Sequence, residues 1–370
     1  MAGNFVQLHN HTHYSLLDGA SKVPDLVKRV KELGMPAVGI TDHGNMHGAY
    51  ELWRAAVDSG VKPIIGIEAY VTPETARQDK TRVSWDTNWT PVPGHARNPD
   101  DVSGGGLITH LTMWAENDEG LVNLIKASSV ANLEGRVMRY PRMDKEVLST
   151  YSKGVIASSG CPSGIIQTRL RLGQFDEALR AAGEFQDIFG KDNFYIELMD
   201  HGLSIESKVT GDLLTIAKKL GAPLLATNDS HYVMEADKDA QDAMLCINSG
   251  ATLDDPNRFK FEGSGYYIKS AEEMRELFKD HPDACDNTLE IAERCNVIFD
   301  DHEDGAFMPQ FDCPEGWDET SLFLKKVEEG LEKRYGTPVP EREQKQADYE
   351  MGIIIQQGFP ADGGAQAGRL

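Results

Sequence analysis

Pro63-Ile64-Ile65-Gly66-Ile67-Glu68-Ala69-Tyr70 is a short apolar run rich in isoleucine that holds a single carboxylate. Its length and composition read as a buried strand. Glu68 is the anomaly in it, because burying an unpaired charge is costly. Six more apolar, β-branched runs occur at 5–9, 37–41, 107–114, 154–158, 193–198 and 223–227. Amphipathic stretches lie between them. Leu26, Val27, Val30 and Leu33 recur at helical spacing, as do Leu121, Leu124 and Ile125, and 176–189 and 205–220 read as further helices. Strands alternating with helices imply an α/β chain with a parallel sheet. Seven such units favour a closed or nearly closed barrel over an open doubly wound sheet, which stays the alternative.

Barrel enzymes carry their active sites on the loops that follow strand C-termini, so side chains at those ends are read for chemistry. The first run ends in His9-Asn10-His11, where alternate residues of an extended chain point to one side and both imidazoles can meet one cation. Asp18 follows on the same loop. The second run ends in Thr41-Asp42-His43-Gly44, the third holds Glu68, and the fourth carries His110 in Ile108-Thr109-His110-Leu111. The fifth leads into Ser159-Gly160-Cys161 and the seventh into Asn228-Asp229-Ser230-His231. Each of these residues has an ordinary reading: a salt-bridged core Glu68, a hydrogen-bonded core His110, a small buried Cys161, Asx turns at Asp42 and Asp229. Their collection at one end of nearly every strand is what the ordinary readings explain badly, and it predicts a metal site. Asp42 is read as an outer carboxylate that orients an imidazole rather than as a ligand. His201, in Leu198-Met199-Asp200-His201-Gly202 after the sixth run, is read as facing the same cleft and, like Asp42, supporting the ligands from outside, with a plain loop histidine as the alternative. His13, His47, His95, His281 and His302 lack such context and are read as surface residues.

The chain has 370 residues, 40% of them hydrophobic and 26% charged, which suits a soluble globular protein of barrel size with an appendage. No run approaches the ~20 apolar residues that span a bilayer, and no leader-like N-terminus is seen, so a cytoplasmic protein without membrane contact is expected. Cys161, Cys246, Cys285, Cys295 and Cys313 form no CxxC pair and are expected to be reduced thiols. The net charge of −22 runs against the basic footprint of a nucleic-acid binder. A nucleic-acid substrate would need bound cations, or a further basic region, to supply positive field. Residues 72–106, rich in Pro, Gly, Asp and Thr, read as a long surface excursion, partly disordered. From 232 to 300 the pattern is mostly helical, and the acidic turn at 299–304 with Met308-Pro309 marks a boundary. Amphipathic helices are expected at 319–334 and 341–357, ahead of a glycine-rich tail at 361–370. No internal repeats are found.

Leu8-His9-Asn10-His11-Thr12 with Ser15 and Asp18-Gly19, Gly39-Ile40-Thr41-Asp42-His43-Gly44, Pro63–Tyr70 and Asn228-Asp229-Ser230-His231-Tyr232 together resemble the signatures of the polymerase and histidinol phosphatase (PHP) domain. The resemblance is to the version found at the N-terminus of bacterial replicative DNA polymerase III alpha subunits. It continues through Asn287-Thr288-Leu289-Glu290-Ile291-Ala292 to Gly358-Phe359-Pro360 and so covers nearly the whole chain. It implies a distorted seven-stranded (β/α)7 barrel with a helical C-terminal extension, residues 1–300 forming the PHP domain around the 72–106 insertion. Residues 301–370 would be a linker and the truncated start of the polymerase palm region. The cleft would hold up to three divalent metal ions on His9, His11, Asp18, His43, Glu68, His110, Cys161, Asp229 and His231. Some relatives have lost several of these ligands and keep the domain as a scaffold, so the complete set here favours an active site.

Three divalent cations against Asp18, Glu68, Asp229 and a Cys161 thiolate leave a formal surplus of two positive charges, which suits an anionic substrate such as phosphate. A hydroxide held between cations would attack phosphorus, with those carboxylates as its main supports. Mixed N, O and S ligands fit zinc, manganese or iron. The expected function is metal-dependent phosphodiester hydrolysis, as a 3′-to-5′ proofreading exonuclease within a replicative polymerase. The polymerase active site is expected to lie outside this chain, so that this piece alone holds a DNA 3′ end weakly and works with the rest of the polymerase and the replisome subunits. A structural metal-binding domain and a histidinol-phosphatase-like phosphomonoesterase are the rival readings.

Overall fold

In the computed structural model, which describes residues 5–91, 98–299 and 312–360, the Pro63–Tyr70 run lies within a ten-residue strand of a curled sheet. In chain order the strands are β1 (Ala37–Ile40), β2 (Lys62–Val71), β3 (Thr109–Ala115), β4 (Arg142–Met143), β5 (Val155–Ser158), β6 (Phe194–Leu198) and β7 (Leu224–Ala226). Their spatial order is β1-β2-β3-β5-β6-β7, with the two-residue β4 attached to β2 off this path.

The predicted first strand, 5–9, forms isolated bridges rather than a regular strand. Gln7 bridges to Val38 and Asn10 to Ser230, both in parallel sense. Gly39 N donates to Gln7 O at 2.8 Å, and His11 N donates to Ser230 O at 2.7 Å. This segment therefore joins β1 to the chain just past β7 and closes the curl into a distorted barrel. Its alternation slips between Leu8 and His9: Val6 and Leu8 belong to the inner apolar cluster, yet His9 and His11 both reach the polar end. Asn10 stabilises the irregularity by donating from Nδ2 to Gln7 O (2.9 Å) and Gly39 O (2.8 Å).

The expectation of an all-parallel sheet is corrected at β3, which runs antiparallel to both β2 and β5. The connection from β2 is the long excursion, and among its described residues there is no helix of crossover length of the kind that usually returns a chain for parallel pairing. This excursion is less loose than expected in its described part, since the fully buried Arg142 donates to the backbone oxygens of Arg77, Asp79, Leu107 and Gly135 at 2.7–3.3 Å.

Inside the barrel the strands repeat one pattern with period two. Ile64, Trp114, Ile156, Tyr195 and Leu225 form an apolar floor with Val6 and Leu8. Next along the strands come Thr112, Ser158, Glu197 and Thr227, all buried, and then Glu68, His110 and Asp229 at the open end. The helix Pro282–Arg294 plugs the floor with Ile291 and Ala292, while Thr288 Oγ1 accepts from Val6 N at 3.1 Å. The outward-facing Ile65, Ile67 and Ala69 pack in the outer core with Leu26, Val30 and Leu52 of the helices Val23–Glu32 and Ala49–Ser59.

The expected helices form at Asp118–Leu133, Phe175–Phe189 and Ser204–Leu220. The stretch 232–299 is less helical than expected, with 250–270 free of helix between Lys238–Ser249 and Ala271–Leu277. The chain divides into two compact units, Met1–Phe299 and Asp300–Leu370. The second contains the helices Glu319–Tyr335 and Glu341–Gln356. The predicted boundary at Met308-Pro309, His95, His302 and the tail 361–370 lie outside the described residues. Among the described residues no helix is long and apolar enough to cross a membrane.

Candidate metal centre

All nine residues singled out as ligands meet at the open end of the barrel. His11, His43 and His231 form one group of converging donors, His9, His11 and Asp229 a second, and His43, Glu68 and His110 a third. His11 and His43 are shared, so the groups fuse into one centre. Asp18 joins through Oδ2, 2.8 Å from His43 Nε2 and 3.7 Å from His231 Nε2. Cys161 joins through Sγ, 3.3 Å from His110 Nδ1. His110 reaches this end only because β3 is reversed: it is the second residue of its strand, and in a parallel strand it would lie at the opposite mouth.

The rings are held so that their lone pairs face inward. His9 Nδ1 donates to Glu197 Oε1 at 2.7 Å, and Glu197 also accepts from Thr227 Oγ1 at 2.5 Å and from Ser158 Oγ. His11 Nδ1 donates to Ser15 Oγ at 3.0 Å, and Ser15 donates onward to Asp42 Oδ1 at 2.7 Å. His231 Nδ1 donates to the Asp229 carbonyl at 2.8 Å. In each ring a proton committed at Nδ1 leaves Nε2 as the inward donor atom. Asp229 itself sits at φ 45°, a left-handed conformation that aspartate tolerates better than most residues. Gly44, at φ 65°, lies under Tyr70 and Pro141 so closely that a Cβ there would stand 2.7 Å from the Tyr70 ring.

The buried polar atoms test whether a cation fits. His9 Nε2, His11 Nε2, His43 Nδ1, His231 Nε2, Asp18 Oδ1, Glu68 Oε2 and Asp229 Oδ1 are all buried without a hydrogen-bond partner. Yet these groups crowd one another. His9 Nε2 is 3.3 Å and His11 Nε2 3.0 Å from Asp229 Oδ1, and His43 Nδ1 is 2.7 Å from Glu68 Oε2. Buried polar groups are ordinarily paired. Bonds of about 2.1 Å from nitrogen and oxygen to a common ion separate neighbouring ligand atoms by about 3.0–3.5 Å, the spacing found at Asp229. The residues therefore fit divalent cations.

Electrostatics point the same way. Burial alone would lower His9 and His43, but Glu197, Asp229 and Glu68 hold His9 well above the ordinary histidine value, and Tyr70, Glu68 and Asp18 do the same for His43. Burial would raise Glu68, yet His110, His43 and His9 hold it well below the carboxylate range. The cluster demands positive charge, which protons or a cation can supply. Burial, Glu68 and Asp229 push the Cys161 thiol well up, so its thiolate form needs a cation beside it.

Asp42 is buried and not aimed into the centre. It accepts from Thr12 N, Thr12 Oγ1 and Ser15 Oγ, and so reaches the His11 ring through one hydroxyl. His201 does not face the cleft: its Nδ1 bonds Glu206 Oε1 at 2.6 Å, its Nε2 bonds Asn228 O at 2.9 Å, and Tyr266 stacks on it at 4.1 Å. It braces the backbone one residue from Asp229. His47 is exposed, whereas His13 and His281 are half-buried. Glu197 escaped sequence reasoning although Phe194-Tyr195-Ile196-Glu197-Leu198 carries the very signal that marked Glu68, a lone carboxylate in an apolar strand.

The chain is 50% identical over 359 residues to the DNA polymerase III subunit alpha of Mycobacterium leprae, covering 97% of this chain and 30% of that protein. It is 39% identical over 359 residues to the protein of the same name from Borreliella burgdorferi, covering 96% of this chain and 29% of that one. The chain thus spans less than a third of the length of these relatives. Among solved structures, an amidohydrolase from Chromobacterium violaceum with bound sulfate and no metal is 15% identical, with a TM-score of 0.35, covering 61% of this chain and 87% of that one. The PHP domain family model matches residues 7–201, a segment that includes seven of the nine clustered residues, from His9 to Cys161, and more than half of the chain. The chain belongs to the PHP domain family.

Proposed function

We propose that this chain is the PHP domain of a replicative DNA polymerase alpha subunit in the cytoplasm, and that it hydrolyses phosphodiesters at DNA 3′ ends as a proofreading exonuclease. The observation that carries the reading is the set of seven buried, unpartnered donor atoms converging from Asp18, Glu68, Asp229 and four histidines. Such a set is costly unless cations complete it.

His9, His11, Asp18, His43, Glu68, His110, Cys161, Asp229 and His231 would hold up to three divalent cations, with zinc, manganese or iron fitting the mixed donors. Bound there, the cations supply Lewis acidity toward phosphoryl oxygens and neutralise developing negative charge. The protein's own part is orientation. Glu197 and the Ser15–Asp42 pair fix the His9 and His11 rings, and the barrel floor excludes water from below. His9, His11 and Glu68 are closed to solvent, whereas Asp18, His43, His110 and Asp229 keep 12–18% exposure. A phosphate therefore approaches over that second set. The nucleotidyl transfer, the main grip on DNA and the replisome contacts would belong to the rest of the polymerase.

The test is elemental analysis of the purified chain with a nuclease assay on 3′-mismatched single-stranded DNA, before and after chelation. Metal should be found, chelation should stop hydrolysis, and Asp18→Asn or Asp229→Asn should remove activity while the fold persists. Metal retained without hydrolysis would make the domain structural. Hydrolysis of a phosphomonoester but not of DNA would make it a phosphatase.

A further inference from the structure

Two arginines of one tight turn, Arg136 and Arg139, and a third, Arg82, reaching it from the excursion, gather at the mouth of the metal centre. Val137 and Tyr140 exchange both backbone hydrogen bonds at 3.0 Å, which leaves Met138, at φ 54°, and Arg139 at the tip. Arg136 Nε donates to Met138 O at 3.4 Å. Arg82 Nη2 contacts Met138 Sδ at 3.8 Å, and its Nη1 donates to Gly104 O and Gly105 O. All three guanidiniums are exposed, and none has a carboxylate partner among the described residues. Elsewhere in the same unit Arg77, Arg169, Arg180, Arg258 and Arg294 are held in ion pairs. In a chain with 59 acidic and 37 basic residues, three guanidiniums without carboxylate partners gathered at one turn stand against the overall charge.

The turn touches ligand-bearing segments on both sides. Tyr140 packs edge-on against Tyr70 at 5.1 Å, and Tyr70 in turn stacks on His43 at 5.9 Å and stands edge-on to His110 at 5.4 Å. On the other side Arg139 Nη1 bonds Asn248 Oδ1, whose amide donates to Leu17 O at 3.3 Å, one residue before Asp18. Arg139 thus reaches across from the His43 side of the mouth to the Asp18 side. His43 and Asp18 are two of the four partly exposed residues over which a phosphate would approach.

We infer that Arg82, Arg136 and Arg139 form a track for the phosphate backbone of single-stranded DNA, holding the strand as its 3′ end enters the metal centre; the direction of the strand rests on the exonuclease reading above. Guanidiniums at such positions bind successive phosphates and release condensed counterions, whatever the bases. Exposed Met138 and Leu16 offer apolar surface beside the strand. The acidic balance of the chain then coexists with DNA binding, because positive charge is concentrated where the backbone passes.

The test measures binding of a fluorescent oligodeoxythymidylate to the full chain by anisotropy, across a series of salt concentrations. The triple variant R82E/R136E/R139E should bind at least tenfold more weakly at low salt. The slope of log affinity against log salt should fall by about two, since each phosphate contact on a single strand contributes roughly 0.7. Arg139→Gln alone should lower the slope by less than one while leaving the melting temperature and metal content unchanged. Lys153→Glu is the control, an exposed charge reversal before the start of β5, at the opposite mouth from Cys161. Unchanged affinity in the triple variant, a loss as large in Lys153→Glu, or no binding by the wild-type chain would each overturn the track. Because the readout is binding, a wild-type chain that binds through these arginines yet hydrolyses no DNA would defeat the exonuclease reading and leave the track standing.

Discussion

Glu197 is the residue whose role is least visible in the sequence and best defined by its contacts. Both of its oxygens are used, on His9, Thr227 and Ser158, and its backbone N–H donates to Ser159 Oγ at 2.9 Å. A carboxylate behind a ligand histidine fixes the tautomer and strengthens the donor atom, and losing such a partner typically costs tenfold to a hundredfold in metal affinity. Glu197→Gln should therefore loosen metal by about that factor in a competition titration with a coloured chelator, whereas the exposed Asp200→Asn should not. Equal affinity in the two variants would remove Glu197 from the site. His201 teaches the converse at the same scale. Its spacing placed it near the centre, but Glu206 and the Asn228 carbonyl occupy both ring nitrogens. Sequence spacing shows where a side chain starts, and the partners it finds decide what it does.

At the scale of elements, the reversed β3 and the buried Arg142 belong to one device. After β2 the chain runs through the excursion and re-enters in the opposite sense, which carries His110 and Thr112 to the polar end and Trp114 to the floor. Arg142 staples that loop by donating to four backbone oxygens, with no carboxylate among those partners. Arg142→Met would leave those acceptors buried and unpaired, each worth about 1–3 kcal/mol, although some would rehydrate. A loss of about 3 kcal/mol is expected in denaturant unfolding, together with new protease cleavage between 77 and 107. Wild-type stability and resistance would show that the loop is held by other means. The apolar, β-branched runs made the staves β1, β2, β3, β5, β6 and β7 legible, whereas the two-residue β4 and the Tyr195-Glu197 alternation inside β6 went unread. Strand direction was not legible, because an apolar run reads alike from either end.

For the molecule as a whole, the unit Met1–Phe299 contains its own core and all nine candidate ligands. If its buried carboxylates and histidines hold metal as proposed, metal binding is coupled to folding. A cation present at about a thousand times its dissociation constant adds roughly 4 kcal/mol to the folded state. Chelation should accordingly lower the melting temperature by several degrees in calorimetry, and readdition of zinc or manganese should restore it; a melt indifferent to chelator would mean that protons alone satisfy the cluster. By itself, the sequence determined the α/β alternation, the positions of the barrel staves and the nine ligand-type residues, because burial imposes a local period and lone polar residues in apolar runs stand out against it. Only the tertiary structure decided how those residues meet: the antiparallel β3, the closure through Gln7 and Asn10, the Glu197 contact to His9, and the arginine turn linked through Tyr70 to His43 and through Asn248 to the loop of Asp18. Each joins segments far apart in the chain, and such pairings depend on packing and hydrogen bonds that no local pattern records.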